Sequence, residues 1–301
     1  MSRSFTARGR TVVVDGPALM GIVNASPESF SGDGSTSVET QAALAVRQFE
    51  AGALLVDVGG QSANTKTPEL AVEEETARLV PLIEAIRARS DGLLSVDTYK
   101  PAVADACLRA GADVINDVSA LHDPGLAEVV ARWEAGFVLM HTVGPPKVKL
   151  LEADWYADGV AHDVATFFDD KLARLERAGV PAQAVLLDPG VDFSKTPRQS
   201  VELLHDLAAF ERFDRPLLLA LSRKDFVGAI VPTSPRERDP GTLAAMAFAA
   251  RLVPETVFRV HQVDESRQFL DVLAALGDPD RLEAGARLAI DLRLEAAPPA
   301  E

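Results

Sequence analysis

Residues 93–119 read LLSVDTYKPAVADACLRAGADVINDVS, and this stretch determines the fold expected for the whole chain. An apolar run closes on Asp97, a segment at helical spacing starts at Pro101, and Gly111 precedes a second apolar run. Runs that are apolar on both faces are typical of parallel strands buried between two layers. Proline at the start and glycine just past the end are helix boundary signals. The stretch therefore predicts a strand, a helix and a second, parallel strand.

The same unit recurs along the chain. The apolar runs are ALMGIVN (18–24), ALLVDVGG (53–60), LLSVDT (93–98), DVINDVS (113–119), FVLMHT (137–142), AVLLDPG (184–190), LLLALS (217–222) and TVFRVH (256–261). Eight units over residues 18–276, at about 32 residues each, match the repeat of a (β/α)8 TIM barrel. We predict this α/β fold. A doubly wound open sheet is the alternative, because strand order is not visible in one sequence.

The two ends of the chain carry smaller elements. Residues 4–15 predict a β-hairpin that turns at Gly9 and plugs the N-terminal mouth of the barrel. The stretch RLEAGARLAIDLRLEAA (281–297) predicts a final helix. We therefore expect a barrel domain over residues 1–277 and a C-terminal helical extension over residues 278–301.

The composition and net charge of the chain argue against several classes of binding partner. The chain has 301 residues, of which 47% are hydrophobic, and a net charge of −15, which repels nucleic acid and anionic membranes. No leader peptide or membrane span is apparent, and one cysteine, Cys107, excludes an intrachain disulfide. We expect a cytoplasmic protein that binds small molecules, with Cys107 as a buried small hydrophobe.

Polar residues close the apolar runs, and in a TIM barrel they converge on one mouth. They are Asn24, Asp57, Asp97, Asn116, His141, Asp188, Lys224, Arg259 and His261. The acids and amides among them can recognise a flat heterocycle that carries amino and ring N–H groups. The cations follow the last two strands, where barrels often bind phosphate. Each residue alone also fits a helix cap, a turn or a core position, but together they indicate a heterocycle joined to phosphate.

Eight segments, in this order, closely resemble the dihydropteroate synthase family, which belongs to the pterin-binding barrels. They are MGIVNASPESFS (20–31), GALLVDVGGQS (52–62), LLSVDTYKPAVADACLRAGADVINDVSAL (93–121), VLMHTVGPP (138–146), VLLDPGVDFSKT (185–196), LALSRKDFVGAI (219–230), DPGTLAA (239–245) and FRVHQV (258–263). The resemblance covers essentially the whole barrel.

The resemblance implies a reaction and its residues. The pyrophosphate ester of 6-hydroxymethyl-7,8-dihydropterin condenses with p-aminobenzoate, pyrophosphate leaves, and dihydropteroate forms. Similarity implies that the pterin is held by Asp97, Asn116, Met140, Asp188, Phe193 and Lys224. It also implies that Asn24, Arg259 and His261 bind pyrophosphate, with Asn24 helping to place Mg²⁺. The implied catalytic residues are Asn24, Asp97, Lys224, Arg259 and His261. A homodimer through the last helices is a family expectation.

The chain departs from the family mainly on the side of the second substrate. The family's second loop continues Gly-Glu-Ser-Thr-Arg-Pro, whereas residues 60–65 are GQSANT. Ser62 and Lys66 are the candidates left in that loop, Lys66 replacing part of the lost arginine charge. Asp225 stands where the family has a serine that receives the aminobenzoate carboxylate, and we expect it to repel that group. Glu28 and Gln262 replace aspartates.

Three other functions are open at this point. A pterin-binding paralogue with lost or altered synthase activity would explain the departures. A methyltetrahydrofolate:corrinoid methyltransferase uses a similar barrel, but the SRK and RVH segments argue against it. A purely structural role is the least favoured, because many ionisable groups meet at one mouth.

Overall fold

The computed structural model describes residues 2–25, 37–61, 67–148, 150–151, 155–289 and 292. Its centre is a closed barrel of eight parallel strands, which confirms the predicted TIM barrel and rules out the open sheet. The barrel strands are β3 (Ala18–Asn24), β4 (Leu55–Gly59), β5 (Leu93–Asp97), β6 (Val114–Asp117), β7 (Gly136–Met140), β8 (Val185–Asp188), β9 (Leu217–Leu219) and β10 (Thr256–Val260). Each strand pairs with its sequence neighbours, and β10 closes the barrel against β3.

The predicted hairpin precedes the barrel. β1 (Arg3–Ala7) pairs antiparallel with β2 (Arg10–Val14). Arg8 and Gly9 both adopt positive φ, at 50° and 76°, which is the geometry of a tight two-residue hairpin turn. Phe5 is buried among residues that begin the barrel strands, so the hairpin covers the N-terminal mouth as predicted.

Helices connect the strands on the outside of the barrel. They are α1 (Val38–Glu50), α2 (Val72–Arg87), α3 (Pro101–Ala110), α4 (Gly125–Arg132), α5 (Val160–Arg177), α6 (Pro197–His205), α7 (Asp225–Ile230), α8 (Asp239–Leu252) and α9 (Val263–Gly277). Local sequence explains several of their ends. Thr196 and Gln199 form a reciprocal capping box at the start of α6, and Gly111 ends α3 in the left-handed conformation.

The hydrophobic core forms two layers. One layer fills the barrel and includes Leu55, Val138 and Leu218 together with hairpin residues. The larger layer lies between strands and helices and contains Cys107, which is fully buried as predicted. Because alternate strand residues point to each layer, both faces of every barrel strand are apolar. At the C-terminal ends of the strands this pattern gives way to polar side chains.

The predicted C-terminal helix is wrong for its described part. Residues 279–281 form one 3₁₀ turn, and residues 282–289 contain no helix. These residues are exposed, so an apolar helix face would have no surface to pack against, and isolated helices of this length are marginal in water. Within the described ranges, no helix is long and apolar enough to cross a bilayer.

Candidate active site

The carboxyl ends of the strands bring the predicted polar residues to one mouth. Strand pairing sets Asn24 opposite Gly59, Gly59 opposite Asp97, and Asp97 opposite Asn116. Partners in parallel register point their side chains to the same face. The row therefore presents an amide, a carboxylate and a second amide at one level of the barrel.

A buried hydrogen-bond network holds this side of the mouth together. The Asp57 carboxylate is fully buried and accepts from Arg259 Nε at 2.8 Å, Asn116 Nδ2 at 3.0 Å and Ser95 Oγ at 2.6 Å. A second guanidinium nitrogen of Arg259 lies 3.4 Å from Asp97 Oδ2. Asp57 therefore orients Arg259 and Asn116. Sequence reasoning places Asp57 at the mouth without this role, because only tertiary contacts reveal it.

The same network sets the charge of Asp97. Burial and the neighbouring Asp57 carboxylate raise its pKa from 3.8 to about 7, although the Arg259 guanidinium opposes the shift. Burial disfavours the charged form of Arg259, but the Asp57 and Asp97 carboxylates outweigh it and raise its pKa. Arg259 thus stays cationic, whereas Asp97 changes protonation state near neutral pH.

The opposite wall of the mouth combines a carboxylate, an ammonium group and an aromatic ring. Asp188 lies opposite Met140 in the barrel register, and its carboxylate accepts from the backbone of Gly190 at 2.8 Å. Lys224 Nζ lies 4.3 Å from the Phe193 ring centroid and donates to the Val191 carbonyl at 3.3 Å. Burial raises the pKa of Asp188 and lowers that of Lys224.

His141 has a partner that the sequence does not reveal. Lys195 is 1% exposed, and its Nζ contacts His141 Nδ1 at 2.9 Å, the Gly190 carbonyl at 3.0 Å and the Phe193 carbonyl at 3.1 Å. Burial, followed by the nearby Lys195 charge, lowers the pKa of His141 well below its usual value. Burial also lowers the pKa of Lys195 to about 7. Lys195 fastens the loop after β8 to the end of β7.

The remaining cations differ in their surroundings. His261 follows β10, and its Nδ1 lies 2.8 Å from Ser222 Oγ, which fixes the ring at the mouth. Arg223 forms a structural ion pair, with Nε and one terminal nitrogen each 2.9 Å from an oxygen of Asp239. Of the neighbouring pair Arg223 and Lys224, only Lys224 faces the loop that carries Phe193.

Asp225 begins α7 and is paired with Arg238. The distance between Arg238 Nη1 and Asp225 Oδ1 is 3.1 Å. The same nitrogen donates to the carbonyls of Arg223 and Lys224 at 3.0 and 3.1 Å. The expected repulsion of a substrate carboxylate at Asp225 is therefore offset by a guanidinium that sequence reasoning missed, because Arg238 is 13 residues away in the chain.

Two segments that carry candidate residues lie outside the described part of the chain. They contain the candidates Ser62 and Lys66 in residues 62–66 and the substitution at Glu28 in residues 26–36. The residues on either side of 62–66 are described, and they form a cluster.

This cluster joins Gln61 and Leu70 to the neighbouring elements. Gln61 Nε2 donates to Tyr99 Oη at 3.0 Å, and its Oε1 accepts from the Leu70 backbone at 2.7 Å. Lys100 Nζ pairs with the buried Glu75 carboxylate at 2.7 Å and donates to the Leu70 carbonyl at 2.6 Å. Gln61 and Leu70 are thereby tied to α2 and to the segment after β5.

The donor set suits Mg²⁺ only if substrate completes it. Among the described residues, no three His, Cys, Asp or Glu side chains are grouped so that they could enclose a metal. Asn24 places a hard amide oxygen donor at the end of β3. Mg²⁺ commonly keeps several waters and takes few protein ligands, with substrate phosphates completing its shell, so Asn24 fits such an ion.

The chain is similar to proteins of one family along most of its length. The pterin binding enzyme family matches residues 20–261. The dihydropteroate synthase of Escherichia coli strain K12 is 39% identical over 271 residues, which are 89% of this chain and 95% of that protein.

Solved structures agree in fold as well as sequence. The Yersinia pestis dihydropteroate synthase, solved with a sulfonamide drug complex, superposes with a TM-score of 0.85 at 36% identity, over 92% of this chain and 99% of that one. The Xanthomonas albilineans dihydropteroate synthase in complex with 7,8-dihydropteroate gives a TM-score of 0.79 at 34% identity, over 92% and 99% of the two chains. The barrel fold and the similarity agree, and the chain belongs to the dihydropteroate synthase family of pterin-binding enzymes.

Proposed function

We propose that this chain condenses 6-hydroxymethyl-7,8-dihydropterin pyrophosphate with p-aminobenzoate, giving 7,8-dihydropteroate and pyrophosphate. The observation that carries the proposal is the 3.4 Å contact between Arg259 and Asp97. A carboxylate suited to heterocycle N–H groups and a guanidinium suited to a leaving anion stand side by side. One ligand that joins a pterin to pyrophosphate would engage both.

The pterin side of the site is Asp97, Asn116, Met140, Asp188, Phe193 and Lys224. Asp97 and Asp188 accept hydrogen bonds from amino and ring N–H groups, and Asn116, held by Asp57, supplies an oriented amide. Phe193 offers an aromatic face beside the Lys224 ammonium group. A pocket built of fixed polar groups rejects analogues that lack the matching N–H groups.

The leaving-group side consists of Asn24, Arg259 and His261. The bond between the pterin methylene carbon and the pyrophosphate oxygen breaks, and Arg259 and His261 stabilise the charge on the departing oxygen. Bound through Asn24 and the phosphates, Mg²⁺ would neutralise part of that charge. The Asp97 carboxylate stabilises the electron-poor pterin. The amine then bonds to the methylene carbon and loses a proton, so it needs positioning more than a strong base.

The acceptor side of the site is the altered one. Ser62, Lys66 and Asp225 are its candidate residues, and Arg238 joins them through its ion pair with Asp225. Since the pair is close to neutral overall, Asp225 does not present an uncompensated negative charge to the aminobenzoate carboxylate. This supports retained synthase activity over a paralogue that only binds pterin.

The proposal extends to the location, the oligomeric state and the domain division of the enzyme. A cytoplasmic location agrees with a single, buried cysteine. A homodimer agrees with the exposed apolar side chains of Phe248, Val272 and Leu276 on α8 and α9. The division into a barrel domain of residues 1–277 and a tail of residues 278–301 is part of the same proposal.

The decisive experiment mixes the purified protein with Mg²⁺ and the dihydropterin pyrophosphate, with and without p-aminobenzoate. We expect dihydropteroate and pyrophosphate in equal amounts, only when p-aminobenzoate is present. The Asp97→Asn protein is the matched control and should make at least tenfold less product, since it loses a charge-assisted hydrogen bond. Pterin binding without product would instead indicate the diverged paralogue, and methyl transfer from methyltetrahydrofolate would indicate the corrinoid-dependent class.

A further inference from the structure

The loop after β8 contains a strained residue with an unusual set of contacts. Asp192 adopts φ of 64°, in the left-handed region, where residues other than glycine are uncommon. Aspartate tolerates this conformation better than most residues, because its short polar side chain bonds locally. Such positions concentrate at functional sites, so the contacts of Asp192 are informative.

The Asp192 side chain joins three elements of the fold. Its Oδ1 accepts from Ser200 Oγ at 3.0 Å, and the same hydroxyl accepts from the Asp192 backbone N–H at 3.1 Å. Its Oδ2 accepts from the backbone N–H of Phe226 at 3.2 Å. Ser200 is a fully buried residue of α6, and Phe226 is the second residue of α7. The carboxylate therefore ties the loop to both helices.

Two residues of the proposed pterin site, Phe193 and Lys224, lie next to these contacts in the chain. Phe193 directly follows Asp192, and Lys224 immediately precedes α7. The Phe193 ring and Lys224 Nζ are 4.3 Å apart. Fixing the distance between the loop and the start of α7 therefore also fixes the distance between the aromatic face and the ammonium group.

We propose that Asp192 is a positioning residue that holds Phe193 and Lys224 as one preassembled wall of the pterin site. The inference rests on the proposed function, since it takes that wall to receive the pterin. Asp192 is absent from the residues that the family resemblance points to, and its role follows from the contacts of this chain. It acts through Phe193 and Lys224 and needs no contact with substrate.

The negative charge of Asp192 also affects the pKa of Lys224, separately from its hydrogen bonds. Burial lowers the pKa of Lys224, and among the charged groups that face it Asp192 opposes this most strongly. Asp188 on β8 and Asp225 on α7 act in the same direction as Asp192, whereas Arg259 on β10 lowers the pKa further. Lys195, in the same loop as Asp192, also interacts with Lys224, and the Asp192 charge opposes the lowering of the Lys195 pKa as well. Removing the Asp192 charge should therefore lower the pKa of Lys224.

Two variants separate the parts of this role. Asp192→Gly keeps the left-handed backbone and removes both side-chain contacts, whereas Asp192→Asn keeps the shape and removes the charge. Asp214 is the matched control, because it also has positive φ, at 51°, and lies before β9 at the opposite end of the barrel. The measurements are the Kd of 6-hydroxymethylpterin as a function of pH, the KM of each substrate and the melting temperature.

We expect Asp192→Gly to raise the pterin Kd and the pterin KM about tenfold, with the p-aminobenzoate KM within twofold. Asp192→Asn should lower the pH at which pterin binding weakens on the alkaline side of its pH profile (the alkaline limb). Asp214→Gly should leave the pterin Kd, the pterin KM and the alkaline limb unchanged. A lower melting temperature with unchanged pterin Kd and unchanged alkaline limb would overturn the proposal. If the parent protein binds pterin without forming dihydropteroate, the proposed function fails, but the Kd comparison still decides the role of Asp192.

Discussion

Arg259 on the last barrel strand donates a 2.8 Å hydrogen bond to Asp57, which lies two strands away around the barrel and is completely buried. This pair sets the geometry of the mouth, because Asp57 also holds Asn116 and Arg259 also reaches Asp97. Asp57 therefore orients Arg259, which is proposed to bind the leaving group, and Asp57 itself does not need to contact the substrate. The positive charge of Arg259 is thus held in place before the reaction, so the site needs less reorganisation when charge develops on the leaving group.

The first prediction concerns the buried Asp57 carboxylate, which Arg259 stabilises as its cationic partner. Arg259→Met leaves a buried carboxylate without its cation, and we expect the free energy of unfolding to fall by about 3–5 kcal/mol. The double variant Asp57→Asn, Arg259→Met should recover most of that loss in urea denaturation, while turnover stays absent in both. Equal stability of the single variant and the parent would show that Asp57 does not depend on Arg259.

The second prediction follows from the pKa of Asp97 near 7. A bound pterin should hold Asp97 as the carboxylate, because only that form accepts through both oxygens. Binding at pH 6 should therefore release up to about one proton per site, and fewer at pH 8. Calorimetry of 6-hydroxymethylpterin in two buffers of different ionisation enthalpy measures the release. Asp97→Asn should abolish it, and an identical release from the variant would contradict the assignment.

The third prediction concerns Lys195, whose pKa falls from 10.5 to about 7 in the folded protein. Between these two values the unfolded chain holds more protons than the folded one at this residue. The free energy of unfolding therefore rises with pH, by about 2 kcal/mol between pH 7 and pH 9. Denaturation of the parent and Lys195→Met at both pH values tests this. The free energy of unfolding of Lys195→Met should rise less between the two pH values than that of the parent, even if the variant is less stable at both. An equal rise in the two proteins would contradict the lowered pKa of Lys195.

The fourth prediction concerns the acceptor side. Asp225→Ser frees the Arg238 guanidinium from its ion pair, and we expect the KM for p-aminobenzoate to fall about two- to fivefold, in line with a partly exposed charge pair. The comparison acceptor is 4-aminobenzamide, which lacks the carboxylate and should respond less than twofold. If both acceptors improve equally, the effect of Asp225 does not involve substrate charge.

Much of the site could be predicted from local pattern. Asp97, Asn116 and Asp188 each close an apolar run, and the ends of parallel strands meet at one mouth, so the run alone predicts their position. Residues that act between elements leave no such signal. Lys195 contacts His141 54 positions earlier, and Asp192 contacts Phe226 34 positions later, so neither partner is recognisable from spacing.

Repeated alternation of apolar runs with helical segments determined that the chain forms a parallel α/β sheet, because burial on both faces of a strand requires a layer on each side. The same pattern determined which ends of the strands carry chemistry. Tertiary structure decided that this sheet closes into a barrel, with β10 paired to β3. Tertiary structure alone decided which charges meet, since the pairs Arg259 with Asp57 and Asp225 with Arg238 depend on how strands and helices stagger around the barrel. It also decided that the C-terminal stretch 282–289 is not helical, because helix formation there needs a packing surface that the fold does not provide.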